Sequence, residues 1–171
     1  MIVDIIECIR QRRSVRQYDE RLIEKEQIDK LLKAAISAPS GKNGQPWKYS
    51  IVSGLDDINQ LAKSTVFSRW MRNAKCCIIV YLDKSCSYDY IKDMQSCGAS
   101  IQNILLAAHS MGIGSCWVGE VMGKDEEIKT LLGIQNDDLE VAGIVALGYC
   151  DIPDTVLNRR QLDSFIVHRD H

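Results

Sequence analysis

Two stretches limit the fold more than anything else in the chain. Cys76 to Leu82 reads Cys-Cys-Ile-Ile-Val-Tyr-Leu, and Val141 to Tyr149 reads Val-Ala-Gly-Ile-Val-Ala-Leu-Gly-Tyr. Neither alternates apolar with polar, so each predicts a strand covered on both faces. Such a sheet needs helices as its covers. One is predicted over 25–37, where Ile28, Leu31, Leu32, Ala35 and Ile36 follow the i, i+3, i+4, i+7, i+8 spacing of a single buried stripe. It must stop at Ala38, because Pro39 disfavours helical geometry in the residue before it. A central helix is predicted over 98–110, with Ile101, Ile104, Leu105 and Ala108 on one side, Leu106 and Ala107 widening it, and Gly112 as its left-handed stop.

Weaker patterns predict helices over 3–11, 55–63 and 125–132, the first burying Ile2, Ile5, Ile6 and Ile9. A short strand is expected over 47–53 and an edge strand at 165–167, while Gly112 to Gly119 reads as a glycine-rich connection. The order α-α-β-α-β-α-α-β lacks strict βα alternation, which favours an α+β fold over a doubly wound sheet. With 171 residues and no repeat or linker, the chain is expected to form one domain over 1–171.

Charge and cysteine usage exclude several functions. Lys+Arg 21 against Asp+Glu 23 leaves a formal net charge of -2, so no broad polycationic surface for nucleic acid is expected. The apolar runs are far shorter than the ~20 residues that span a bilayer. Met1 to Glu7 carries acids and no basic leader, unlike a signal peptide. Seven cysteines without a C-x-x-C pair read as buried thiols in a reducing cytoplasm, not as a disulfide framework or metal site.

Most motif candidates fail on chemistry. Gly112 and Gly114 are followed by Trp117 where a dinucleotide fingerprint needs its third glycine, and the segment follows a helix rather than a strand. Gly119 to Lys124 is one residue short of a P-loop, and Asp125 replaces the magnesium-binding hydroxyl. His109, His168 and His171 lack metal-ligand spacing, and Cys116 lacks a placed base. The turn Arg10-Gln-Arg-Arg-Ser-Val-Arg16 is different: four arginines in seven residues repel one another unless an anion offsets them. A solvated helix end, a nucleic-acid patch and a phosphate site all remain open, the last because the guanidinium fork grips phosphate oxygens bidentately.

Arg12-Arg-Ser-Val-Arg16 after an apolar helix, Ala38-Pro-Ser-Gly-Lys-Asn-Gly-Gln-Pro-Trp47, Gly112-Ile-Gly-Ser-Cys-Trp-Val-Gly119 after a long helix, Val141 to Gly148, and Arg160 occur in that order. As an ordered set covering essentially the whole chain, they resemble the FMN-dependent nitroreductase family. The resemblance implies a three-layer α+β fold, with a mainly antiparallel sheet flanked by helices. It also implies an intertwined homodimer, with FMN at the subunit interface and a C-terminal strand available for exchange.

Carried over by residue, Arg12, Arg159 and Arg160 hold the flavin phosphate. Arg13 and Ser14 contact the phosphate, ribityl chain or ring edge, and Arg16 lies beside the N1–C2 carbonyl side. Pro39, Ser40 and Asn43 reach the partner's FMN, and a backbone N–H at Gly119 or Glu120 points at N5. The implied activity is ping-pong hydride transfer from NAD(P)H through flavin N5 to a nitroaromatic or quinone-type acceptor, with no catalytic side chain and no metal. The alternatives are an FMN-binding carrier, sensor or partner-binding protein, or a flavin-fragmenting or dehalogenating enzyme. The chain departs from the family pattern at Phe67 and Trp70, which stand where larger relatives place an amide and a lysine, and at Asn158, where a tail lysine is expected.

Overall fold

The computed structural model describes residues 4–151 and 159–170. The two apolar runs lie side by side at the middle of a four-stranded antiparallel sheet. With β1 (Trp47–Val52), β2 (Cys76–Asp83), β3 (Gly114–Val118) and β4 (Leu139–Gly148), the strand order is β1-β2-β4-β3. Every residue of β2 is buried. Cys76 pairs with Leu147 and Val80 with Gly143, after which Tyr81 faces Val141 and Ala142 forms a bulge.

Successive residues of β2 feed two separate cores, as strand geometry requires. Cys76, Ile78, Val80 and Leu82 pack with Leu31 and Ala35 of α2 (Lys25–Ile36) and with Cys97, Ile101, Ile104, Leu105 and Ala108 of α5 (Tyr90–Ser110). Cys77, Ile79 and Tyr81 pack with Ile58, Leu61 and Ala62 of α3 (Leu55–Lys63), Met71 of α4 (Ser68–Met71) and Ile128 of α6 (Asp125–Leu131). The three layers are thus α2 and α5, the sheet, and α3, α4 and α6.

Five expectations are corrected. Ile36, expected in the buried stripe of α2, is 52% exposed, while Leu31 and Ala35 are in the core. The glycine-rich connection contains β3, which pairs with β4 from Gly114↔Gly148 to Val118↔Ile144, so the observed order gains a strand. The central helix begins at Tyr90 rather than Gly98. Asp89 caps it by accepting from the Lys92 amide, and the apolar Tyr90 and Ile91 of its first turn are 52% and 68% exposed, outside the buried stripe. Residues 162–165 form a short 3-10 turn and no strand runs through 165–167: the tail pairs with neither edge strand, β1 or β3, of the described sheet. In α1 (Ile5–Gln11) only Cys8 is buried, whereas Ile5, Ile6 and Ile9 are 58%, 60% and 48% exposed. Ile2 lies outside the described residues. Among the described residues nothing covers this apolar face.

The segment after α1 crosses the end of the sheet. The Val15 amide donates to the Ser115 carbonyl at 2.8 Å, making a parallel bridge between Ser14 and Ser115. The Tyr18 hydroxyl is shared between the carbonyls of Val15 at 2.8 Å and Ala146 at 3.2 Å, and the Asp19 amide reaches Tyr149 at 2.8 Å. Two glycines admit it. A Cβ on Gly114 lies 2.8 Å from Val15 Cγ1, and one on Gly148 lies 2.7 Å from the Tyr18 ring. Gly148→Ala should therefore cost about 1–3 kcal/mol of stability, read as a lower urea midpoint at unchanged slope. An unaltered midpoint overturns this packing account.

Candidate functional site

The crossing segment delivers the arginine turn to the C-terminal end of α5. Arg12 and Arg13 are half-buried, Ser14 and Arg16 exposed, and Val15 buried between them as the anchor. Arg12 has its acidity raised first by burial and next by the charge of Arg159, so the tail brings a second guanidinium to the same place. His109 from the last turn of α5 joins them. Its pKa lies below the ordinary histidine value, mainly through burial and then through the charges of Arg12 and Arg13.

The environment of these cations differs from that of the others. Arg10 pairs with Glu7 at 3.6 Å, Arg21 with Asp19 at 2.5 Å and Lys75 with Glu20 at 2.8 Å. No carboxylate among the described residues comes within salt-bridge distance of Arg12, Arg16 or Arg159. Like charges held together without a counter-ion repel, and an anion is the simplest group to offset them. Beside the cluster runs an open groove of about 500 Å³, lined by residues 13–19, Cys150 and Asp151. Asp19 and Asp151 line it as well, so its positive end is the one bearing Arg13 and Arg16.

Cys116 sits in β3 next to Ser115, to which the turn is bridged, and its thiol donates to the Trp117 carbonyl at 3.8 Å. Burial pushes its thiol pKa up more than Arg16, Ser14 and Arg12 draw it down, which keeps it a protonated core thiol. Gly119 and Glu120 follow β3 as exposed residues, with the Glu120 carboxylate accepting from Thr65 Oγ1 at 3.4 Å. Arg160 lies over the Phe165 ring at 4.4 Å. Asn158 lies outside the described residues.

The loop residues stand elsewhere. Pro39 and Ser40 line a shallow hollow of about 310 Å³ with Tyr88, Lys92, Gln95, Ser96 and Ala99. Those α5 residues lie ten or more positions before His109, roughly 15 Å or more along the axis. One chain therefore does not bring Pro39, Ser40 and Asn43 to its own arginine turn. Lys42, Asn43 and Gln45 have φ values of 52, 54 and 49°, an unusual density of left-handed non-glycine residues. Each costs about 1–3 kcal/mol for a non-glycine residue, least for Asn, and such outliers concentrate at functional loops. The Ser40 hydroxyl accepts from the Gln45 amide at 3.0 Å, and Lys42 lies 4.8 Å from the Tyr88 ring centre.

Sequence reasoning missed two residues near the turn. His109 lacks metal-ligand spacing, yet the charges of Arg12 and Arg13 act on it. Trp117 packs on Gly143, where an added Cβ would lie 2.5 Å from its Nε1, and it stays exposed. Trp117 pairs with Val145, so Gly143 is its diagonal neighbour on β4, a relation that carries no signal until the register is known. No three His, Cys, Asp or Glu side chains among the described residues are grouped to hold a metal ion.

An anion that neutralises Arg12 and Arg13 should raise the His109 pKa, and by linkage its binding should tighten as pH falls through that pKa. Titration of the His109 ring signals by NMR, with and without inorganic phosphate, checks this. A phosphate-independent pKa removes His109 from the anion site.

Residues 9–70 and 55–149 match the sequence pattern of the Nitroreductase family. An Archaeoglobus fulgidus protein named "Putative NADH dehydrogenase/NAD(P)H nitroreductase" is 40% identical over 150 residues, 84% of this chain and 85% of that protein. A crystal structure from Desulfovibrio desulfuricans, described as a "putative nitroreductase in complex with fmn", superposes with a TM-score of 0.89 at 31% identity, covering 100% of this chain and 99% of that one. An "FMN-dependent Nitroreductase" from Clostridium difficile R20291 superposes with a TM-score of 0.83 at 28% identity, covering 97% and 99%. With the arginine turn docked on the three-layer fold that these proteins share, the chain belongs to the nitroreductase family.

Proposed function

We propose that this chain is an FMN-dependent oxidoreductase that passes two electrons from NAD(P)H to a small nitroaromatic or quinone-type acceptor. Family membership supports the coarser statement, an NAD(P)H-dependent flavin oxidoreductase. The observation that carries the cofactor assignment is the meeting of Arg12 and Arg159 without a carboxylate among the described residues. A phosphate dianion offsets both charges and accepts their hydrogen bonds.

Bound FMN supplies the redox chemistry, taking up two electrons and gaining negative charge on the N1–O2 side of its ring. The chain supplies position and charge. Arg12, Arg13 and Arg159 hold the phosphate, with Arg160 joining from the tail and Ser14 donating to the phosphate or ribityl chain. Arg16 stands beside the N1–C2 carbonyl, where a fixed cation favours the electron-rich state. Backbone N–H groups at Gly119 or Glu120 orient N5, and Pro39, Ser40 and Asn43 close the site from a second copy. Donor and acceptor take the same opening in turn, a ping-pong order that needs no side-chain nucleophile. All seven cysteines are free, in keeping with a reducing cytoplasm.

Two features support the dimer. The exposed Ile5, Ile6 and Ile9 form an uncovered face beside an apolar hollow of about 420 Å³ that includes Cys8, Ala34, Leu106 and Ala107. The 39–43 loop also lies away from its own arginine turn, so it completes a site only across subunits. A second reading, an FMN carrier or sensor with little NAD(P)H turnover, draws on the exposed Phe67 and half-buried Trp70 at positions that differ from the family pattern. Stopped-flow bleaching of the flavin by NADPH and NADH separates the two: rapid bleaching supports the enzyme, and a persistent yellow colour supports the carrier.

Arg12→Ala should lose about 1.5–3 kcal/mol of FMN binding, whereas Arg10→Ala, whose partner is Glu7, should lose little. Equal flavin content in the two variants shows that the phosphate site is misplaced. Ile6→Asp should shift the sedimenting species from dimer to monomer and reduce the flavin content. An undiminished dimer places the subunit interface on another face.

A further inference from the structure

Arg16 reaches the site with an unusual neighbour. Its guanidinium carbon lies 5.8 Å from the centre of the Trp70 ring, and no carboxylate among the described residues pairs with it. Trp70 is itself held. It lies in α4 beside fully buried Met71, packs against the core formed by α3, α4 and α6, and has Phe67 at 6.1 Å between ring centres, tilted by 38°. The segment before α4 is tied to the end of β3 by the bond from Thr65 to Glu120 at 3.4 Å. An exposed cation thus rests beside a ring that the core keeps in place.

The choice of partner has an electrostatic consequence. A carboxylate would orient Arg16 but cancel its charge for any nearby anion. An aromatic face attracts the cation through the ring quadrupole and leaves the full positive charge available. We infer that Trp70 is a positioning residue that holds Arg16 by its π face, so that an unneutralised cation stands where charge develops on the bound flavin. This rests on the FMN reading above and assigns a role to a position where the chain departs from its family pattern.

The test is anaerobic spectroelectrochemistry of the FMN-loaded protein, which gives the ratio of its affinities for reduced and oxidised FMN. Trp70→Leu should lower that ratio roughly two- to fivefold, the range expected for an exposed cation–π contact. Trp70→Phe should keep most of it, and Trp70→Gln should repeat the loss with a second non-aromatic side chain. In an Arg16→Gln background, Trp70→Leu should add nothing, because the ring acts only through the guanidinium. Flavin content and melting temperature report whether each variant is folded and loaded.

An unchanged ratio in Trp70→Leu, a Trp70→Phe loss as large as that of Trp70→Leu, or an undiminished effect without Arg16 each overturns the inference while the cofactor reading stands. A wild-type protein that takes up no FMN overturns both.

Discussion

The candidate site depends on one close approach. The segment from Ser14 to Asp19 crosses the ends of β3 and β4, where Gly114 and Gly148 leave space for Val15 and the Tyr18 ring. Three hydrogen-bonding residues, Val15, Tyr18 and Asp19, anchor it to strand or strand-end carbonyls. Buried Val15 then divides the turn, with Arg12, Arg13 and Ser14 on one side and Arg16 on the other. The cations gather because a backbone segment is clamped, despite the repulsion between them. The repulsion is a cost set by packing, of the kind that an anion offsets.

This arrangement assigns different work to different layers. The double-sided burial of β2 and β4 provides stability and carries no reactive group toward solvent. The turn, the end of β3 and the 39–43 loop lie at the margins of that rigid sheet, where binding residues are commonly placed. Cys116 illustrates the division. It feels the charges of Arg16 and Arg12, yet burial outweighs them and keeps it a thiol. The cluster acts through fixed charge, which suits a protein whose cofactor carries the electrons.

Much of the fold was legible because its signals are local. The stripe over α2 as far as Ala35, the apolar side of α5 and the two continuous strands each follow from side-chain period, whereas Ile36 at the end of α2 is 52% exposed; α3 appears over the same residues as expected, Leu55–Lys63. β3 was missed because glycines that make room for neighbours look, in one dimension, like glycines that make a turn. The early start of α5 was hidden because Tyr90 and Ile91 of its first turn face away from the core, so the buried stripe does not reach back to the Asp89 cap. The exposure of Ile5, Ile6 and Ile9 reverses a sound local reading. The periodicity identifies an apolar face but does not say which molecule covers it.

By itself, the sequence determined the layer architecture and the motif order that mark the family, since both are written in residue types at fixed spacing. The tertiary structure alone decided which cations meet. Arg159 approaches Arg12 across more than a hundred residues of chain, His109 comes within reach of the Arg12 and Arg13 charges, and Trp70 comes to lie beside Arg16. It also separated the 39–43 loop from the turn by placing them toward different ends of α5. The physical reason is the same in each case. Periodicity specifies which face of an element is buried, but the pairing of distant charges depends on how those elements are stacked, and here that stacking is set by two glycines under one clamped segment.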